Sequence, residues 1–129
     1  MLTELERAVL DMLLAGETPA LATLREQLDQ AAVQSREFSG VGFFTHFAIP
    51  PSVLRLPVRD RVTLGDVGAE LNSLAHGAGF VLFVENGELS MLEAFTYDEP
   101  WPEPLGPFRL RYHHAERQIP AELTAGNQT

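Results

Sequence analysis

Gly79-Phe80-Val81-Leu82-Phe83-Val84-Glu85-Asn86-Gly87-Glu88-Leu89-Ser90-Met91-Leu92-Glu93-Ala94-Phe95-Thr96-Tyr97 is the stretch that decides the fold. Asn86-Gly87 between two apolar runs marks a two-residue hairpin, because a type I′ turn needs positive φ at both central residues and Asn and Gly tolerate it. Counting outward from that turn pairs Glu85 with Glu88, Val84 with Leu89, Phe83 with Ser90, Leu82 with Met91, Val81 with Leu92 and Phe80 with Glu93. One face then carries Phe80, Leu82, Val84, Leu89, Met91 and Glu93, and the other Val81, Phe83, Ser90 and Leu92. Both are mainly apolar. The hairpin therefore reads as central, covered by helices on one side and by loops or a second subunit on the other.

Upstream, Leu2, Leu5, Val9, Met12 and Leu13 recur at helical spacing, with Thr3 and Glu6 placed as a capping box, so a helix is expected from Glu4 to Ala15. Gly16 ends it. Thr18 and Pro19 open a second helix with the stripe Leu21, Leu24, Leu28, Ala31 and Ala32. Glu37 to Ile49 reads as a strand with Val41, Phe43, Thr45, Phe47 and Ile49 on one face and Phe44, His46 and Ala48 on the other. Gly40 and Gly42 mark a bulge or a close backbone approach. Arg61–Leu64 and Val67–Leu71 form a strand pattern broken by Gly65-Asp66, and Phe108 to His113 alternates apolar with wet positions. The fold class expected is α+β: an N-terminal helical hairpin on a mainly antiparallel sheet of about four to six strands. Residues 1–114 read as one domain and 115–129 as a mobile C-terminal tail.

The chain of 129 residues has 18 acidic and 9 basic side chains, all arginine, for a net charge of −9. That field disfavours nucleic acid and anionic membrane and favours a basic protein partner. No apolar run is long enough to span a bilayer, and the N-terminus lacks a secretory pattern, so a cytoplasmic location is expected. With no cysteine there is no disulfide, thiolate metal site or cysteine nucleophile. Phosphate-loop, zincin, nucleophile-elbow and EF-hand motifs are missing, and neither a metal nor a cofactor is expected. Gly77-Ala78-Gly79 precedes a strand instead of following one and reads as a tight turn.

Four side chains are candidate acids or bases. Glu93 leads them, because the turn-derived register puts its carboxylate on an apolar face, where it needs a cation or acquires a raised pKa. Glu70 is a second carboxylate, and His46 and His76 are candidate proton carriers. Their separations carry no metal-ligand signature, and the bland reading is a hydrogen-bonded His46 and a surface His76. Tyr97-Asp98-Glu99-Pro100-Trp101-Pro102-Glu103-Pro104 is extended by its prolines and offers Asp98, Glu99 and Trp101 to a partner, unless Trp101 folds back on the sheet.

Ser39-Gly40-Val41-Gly42-Phe43-Phe44, Gly65-Asp66-Val67, His76 to Phe83 and Tyr97 to Pro102 together resemble a family of small uncharacterised bacterial proteins, over residues 35–112. The resemblance implies a bacterial cytosolic source and assigns no reaction, cofactor or partner. The function expected is a non-catalytic acidic binding or regulatory protein. The alternative is a small enzyme or ligand-binding domain with a pocket around Glu93, and a homodimer is compatible with either.

Overall fold

A computed structural model describes residues 1–71 and 74–125. The first helix, α1 (Glu4–Leu13), begins at the expected capping box: Thr3 Oγ1 accepts from Glu6 N–H, and Glu6 Oε1 accepts from Thr3 N–H. The second, α2 (Pro19–Gln30), starts after Thr18 and stops before the predicted stripe ends, because Ala32 already belongs to a strand.

That strand, β1 (Ala32–Phe38), pairs antiparallel with β2 (Gly42–Ala48), so the stretch from Glu37 to Ile49, expected to be one strand, holds the end of β1, a turn at residues 39–41 and then β2. β1 is an edge strand exposed along most of its length. A strand wet on both faces has no period-two apolar pattern, which is why Gln34, Ser35 and Glu37 concealed it. The expected faces of β2 stand: Phe43, Thr45 and Phe47 are buried, while Phe44 and His46 are half-buried and Ala48 is exposed.

The remaining strands are β3 (Val62–Leu64), β4 (Val67–Leu71), β5 (Ala78–Glu85), β6 (Glu88–Thr96) and β7 (Phe108–Tyr112). With β1 and β2 they form one antiparallel sheet of seven strands in the order β1-β2-β6-β5-β4-β7, with β3 also paired to β5. The architecture is α+β, with the helices on one face. Val9, Leu10 and Leu13 of α1 and Leu21, Leu24 and Leu28 of α2 join Phe43, Leu64, Val67, Phe80, Leu82, Leu89 and Leu92 in a continuous core.

Asn86 (φ 52) and Gly87 (φ 76) turn the β5–β6 hairpin as expected. A Cβ on Gly87 would lie 2.1 Å from the Leu56 carbonyl oxygen, so the position demands glycine by space as well as by φ. The register matches for two pairs, Glu85↔Glu88 and Val84↔Leu89, and then slips: Phe83 pairs with Met91, Leu82 with Leu92, Val81 with Glu93 and Phe80 with Ala94. Ser90 is the extra residue of a β-bulge, its hydroxyl donating to Glu85 Oε2 at 2.6 Å. One inserted residue exchanges the two faces for everything beyond it. Leu92 and Ala94 face the helices, and Glu93 faces away.

The stretch read as a mobile tail is tied to the fold at Arg117, Gln118 and Leu123. Arg117 crosses to the C-terminal end of α1, donating to the Leu13 carbonyl at 3.0 Å and the Ala15 carbonyl at 2.5 Å. Its Nε meets the nearly buried Asp66 carboxylate at 2.7 Å, and the guanidinium stacks on Tyr112 at 4.6 Å. Leu123 of α3 (Ala121–Ala125) is buried in the core. Few large apolar residues mark this segment in sequence, yet one arginine and one leucine tie it down. Residues 126–129 of the expected tail lie outside the described residues.

Candidate functional site

The helices leave the opposite face of the sheet open, and the sequence-predicted residues fall mostly there. Its centre is apolar: Phe44 of β2, Val81 and Phe83 of β5, and Met91 and Phe95 of β6 are each half-buried. Glu93 sits among them, directly across from Phe44 on one side and Val81 on the other. The position that raised suspicion is therefore a half-buried carboxylate on an open surface, not a buried one in the core.

Charge pairing singles out Glu93. His46 Nε2 lies 2.6 Å from Glu37 Oε1 across the β1–β2 hairpin. Arg61 Nε lies 3.1 Å from Glu85 Oε1, and its guanidinium covers the Phe83 ring at 5.0 Å. Ser90 and then Arg61 hold the Glu85 carboxyl below its ordinary pKa by bonding its ionised form, against a smaller opposing effect of burial. Glu70 sits between Arg111 at 3.5 Å and Arg109 at 3.9 Å. Among the described residues no cation lies within 4.0 Å of Glu93.

The four candidate acids and bases do not converge. His46 is engaged with Glu37, Glu70 with two arginines, and His76 is exposed in the turn after β4. No group of three or more metal-ligating side chains assembles among the described residues. The proposed pocket around Glu93 is a sheet surface, because the Ser90 bulge turned it outward.

The acidic tryptophan loop is largely committed to the fold. Glu99 accepts from the backbone N–H of Ala75 at 3.0 Å and of His76 at 3.2 Å, so its carboxylate anchors a turn. Trp101 N–H donates to the Gly40 carbonyl at 2.8 Å, and its ring meets Phe43 edge-on at 5.2 Å. Of the three residues offered to a partner, Asp98 alone is exposed, while Glu99 and Trp101 are half-buried.

Sequence reasoning missed the polar residues that brace the helices against the sheet. Gln27 of α2 is fully buried and joins three segments, donating to the carbonyls of Leu54 (3.0 Å) and Gly87 (2.9 Å) and accepting from Leu89 N–H (2.9 Å). Its signal was a polar side chain within the stripe that runs from Leu24 to Leu28. Arg36 binds Glu6, a long-range pairing with no local signature. The chain matches no protein-family model, no curated protein and no solved structure. No helix among the described residues is long and apolar enough to cross a membrane.

Proposed function

We propose that this chain is a non-catalytic acidic binding protein of a bacterial cytosol, which docks a basic partner on the open face of its sheet. The observation that carries the reading is the asymmetry among the carboxylates of that face. Glu70 and Glu85 each have an arginine and Glu37 has the His46 imidazole at 2.6 Å, whereas Glu93, framed by Phe44 and Val81, has neither among the described residues. An arginine or lysine from a partner would lay its aliphatic stem on the apolar strands and place its charge on Glu93. The net charge of −9 would speed the encounter.

A second copy is a poorer occupant of this face. Stacking two such faces about a two-fold axis would bury both Glu93 carboxylates near the interface centre without cations. The lack of convergence among Glu93, Glu70, His46 and His76 supports binding over catalysis.

The test is an NMR titration with a short synthetic peptide of arginines flanked by leucines, set against its glutamate counterpart. The arginine peptide is expected to move the resonances of Phe44, Val81, Met91 and Glu93, to weaken steeply with salt, and to lose about tenfold in affinity against Glu93→Gln. Equal responses to both peptides, or indifference to Glu93→Gln, would end this reading.

A further inference from the structure

On the helix side of the sheet, between the first turn of α1, the end of β1 and the loop carrying Trp101, lies a cleft of about 360 Å³. That is near the lower end of the range small-molecule sites occupy. Phe43 is its buried base. Phe38 leans on that ring at 6.1 Å and 50°, and Trp101 meets it at 5.2 Å and 88°. Leu105 and Phe108 add further apolar wall. Phe38 is 73% exposed, so its outer face offers aromatic surface at the mouth.

Arg36 also lines this cleft, and its bonds to Glu6 and Met1 hold it in a fixed pose. Arg36 spends Nε on Glu6 Oε2 (2.8 Å) and Nη2 on Glu6 Oε1 (2.6 Å) and the Met1 carbonyl (2.7 Å). A guanidinium has five N–H donors, and among the described residues Nη1 meets no acceptor. Glu6 already neutralises this arginine, and Glu4 also lines the cleft, so an anionic ligand would meet uncompensated negative charge. An uncharged oxygen acceptor would not.

We propose that the cleft binds an uncharged small molecule with an aromatic body of one or two rings and a carbonyl or ether oxygen that accepts from Arg36 Nη1. The site is built before the ligand arrives. Trp101 is tethered to Gly40, its loop is anchored through Glu99, and Arg36 is clamped by Glu6. Little ordering is left to oppose binding. This site lies across the sheet from Glu93 and stands independently of the basic-partner reading.

The probe is 4-phenyl-2-butanone, followed by NMR, with the single Trp101 indole N–H as a local reporter. It is expected to saturate at about millimolar concentration, with shifts centred on Trp101, Phe43 and Phe38. The anionic 3-phenylpropionate should bind at least about tenfold more weakly. Phe38→Ala removes an exposed ring, leaves folding intact and should weaken the ketone about fivefold. Leu105→Asp provides a second block at the opposite wall. The proposal is overturned by the absence of saturable shifts, by shifts centred elsewhere, by a carboxylate that binds as tightly as the ketone, or by unchanged affinity in both variants.

Discussion

Glu6 accepts from four donors: Thr3 N–H, Arg36 Nε and Nη2, and the Thr45 hydroxyl at 2.5 Å. Burial pushes its carboxyl upward, but these hydrogen bonds and the guanidinium charge outweigh burial and hold the pKa below the ordinary carboxylate range. Arg36 is raised in turn, chiefly by its bonds to Glu6. A carboxyl depressed in the folded state stabilises the fold above its unfolded pKa and loses that contribution as pH falls through the folded value. Stability should thus be level in this respect above about pH 5 and decline below it. Glu6→Ala should cost about 3 kcal/mol at pH 7, because it leaves Arg36 without its anion. It should also flatten the acid side of the profile, as urea midpoints at pH 7, 5 and 3.5 would show. Half of this residue's role was legible, since Thr3 and Glu6 announce a capping box. The salt bridge to Arg36, 30 positions away, was not, because nothing local specifies a contact across that separation.

At the scale of elements, a single bulge reassigns a hairpin. The Asn86-Gly87 turn sets the first two pairs, and Ser90 then inserts one residue, so Glu93 faces outward and Ala94 inward. Ala94→Glu should be strongly destabilising, by about 3 kcal/mol, since it buries an unpaired carboxylate at a site that is 2% exposed. Glu93→Gln should change stability by less than about 0.5 kcal/mol. Thermal unfolding of the two variants distinguishes the bulged register from a regular one, in which their order would reverse. The turn chemistry was readable because it depends on two adjacent residues. The bulge was not, because Leu89-Ser90-Met91-Leu92 satisfies either alternation about equally well; burial of Leu92 and Ala94 against the helices selects between them. β1 escaped for a related reason, as an edge strand need not hide either face.

Across the whole molecule, the C-terminal segment acts as a strap. Arg117 joins Asp66, the end of α1 and the Tyr112 ring, and Leu123 fills the core beside α2. Arg117→Ala would leave Asp66 buried without its cation and free the carbonyls of Leu13 and Ala15 at the end of α1. It should cost about 3 kcal/mol. The melting temperature should fall by roughly 10 °C, measurable by calorimetry. If residues 115–125 hung free, the substitution would change nothing.

The amino-acid sequence by itself determined the α+β class, the two helix starts, the Asn86-Gly87 turn, the faces of β2 and the alternation of β7. Each of these rests on neighbouring residues and a short period: a cap three positions from its partner, positive φ at a turn, or side chains alternating along a strand. Only the tertiary structure decided which way Glu93 faces, where α2 yields to β1, what Arg36, Gln27 and Arg117 hold, and that an aromatic cleft opens beside α1. Those outcomes depend on contacts between distant positions, where burial of one side chain against another outweighs local preference.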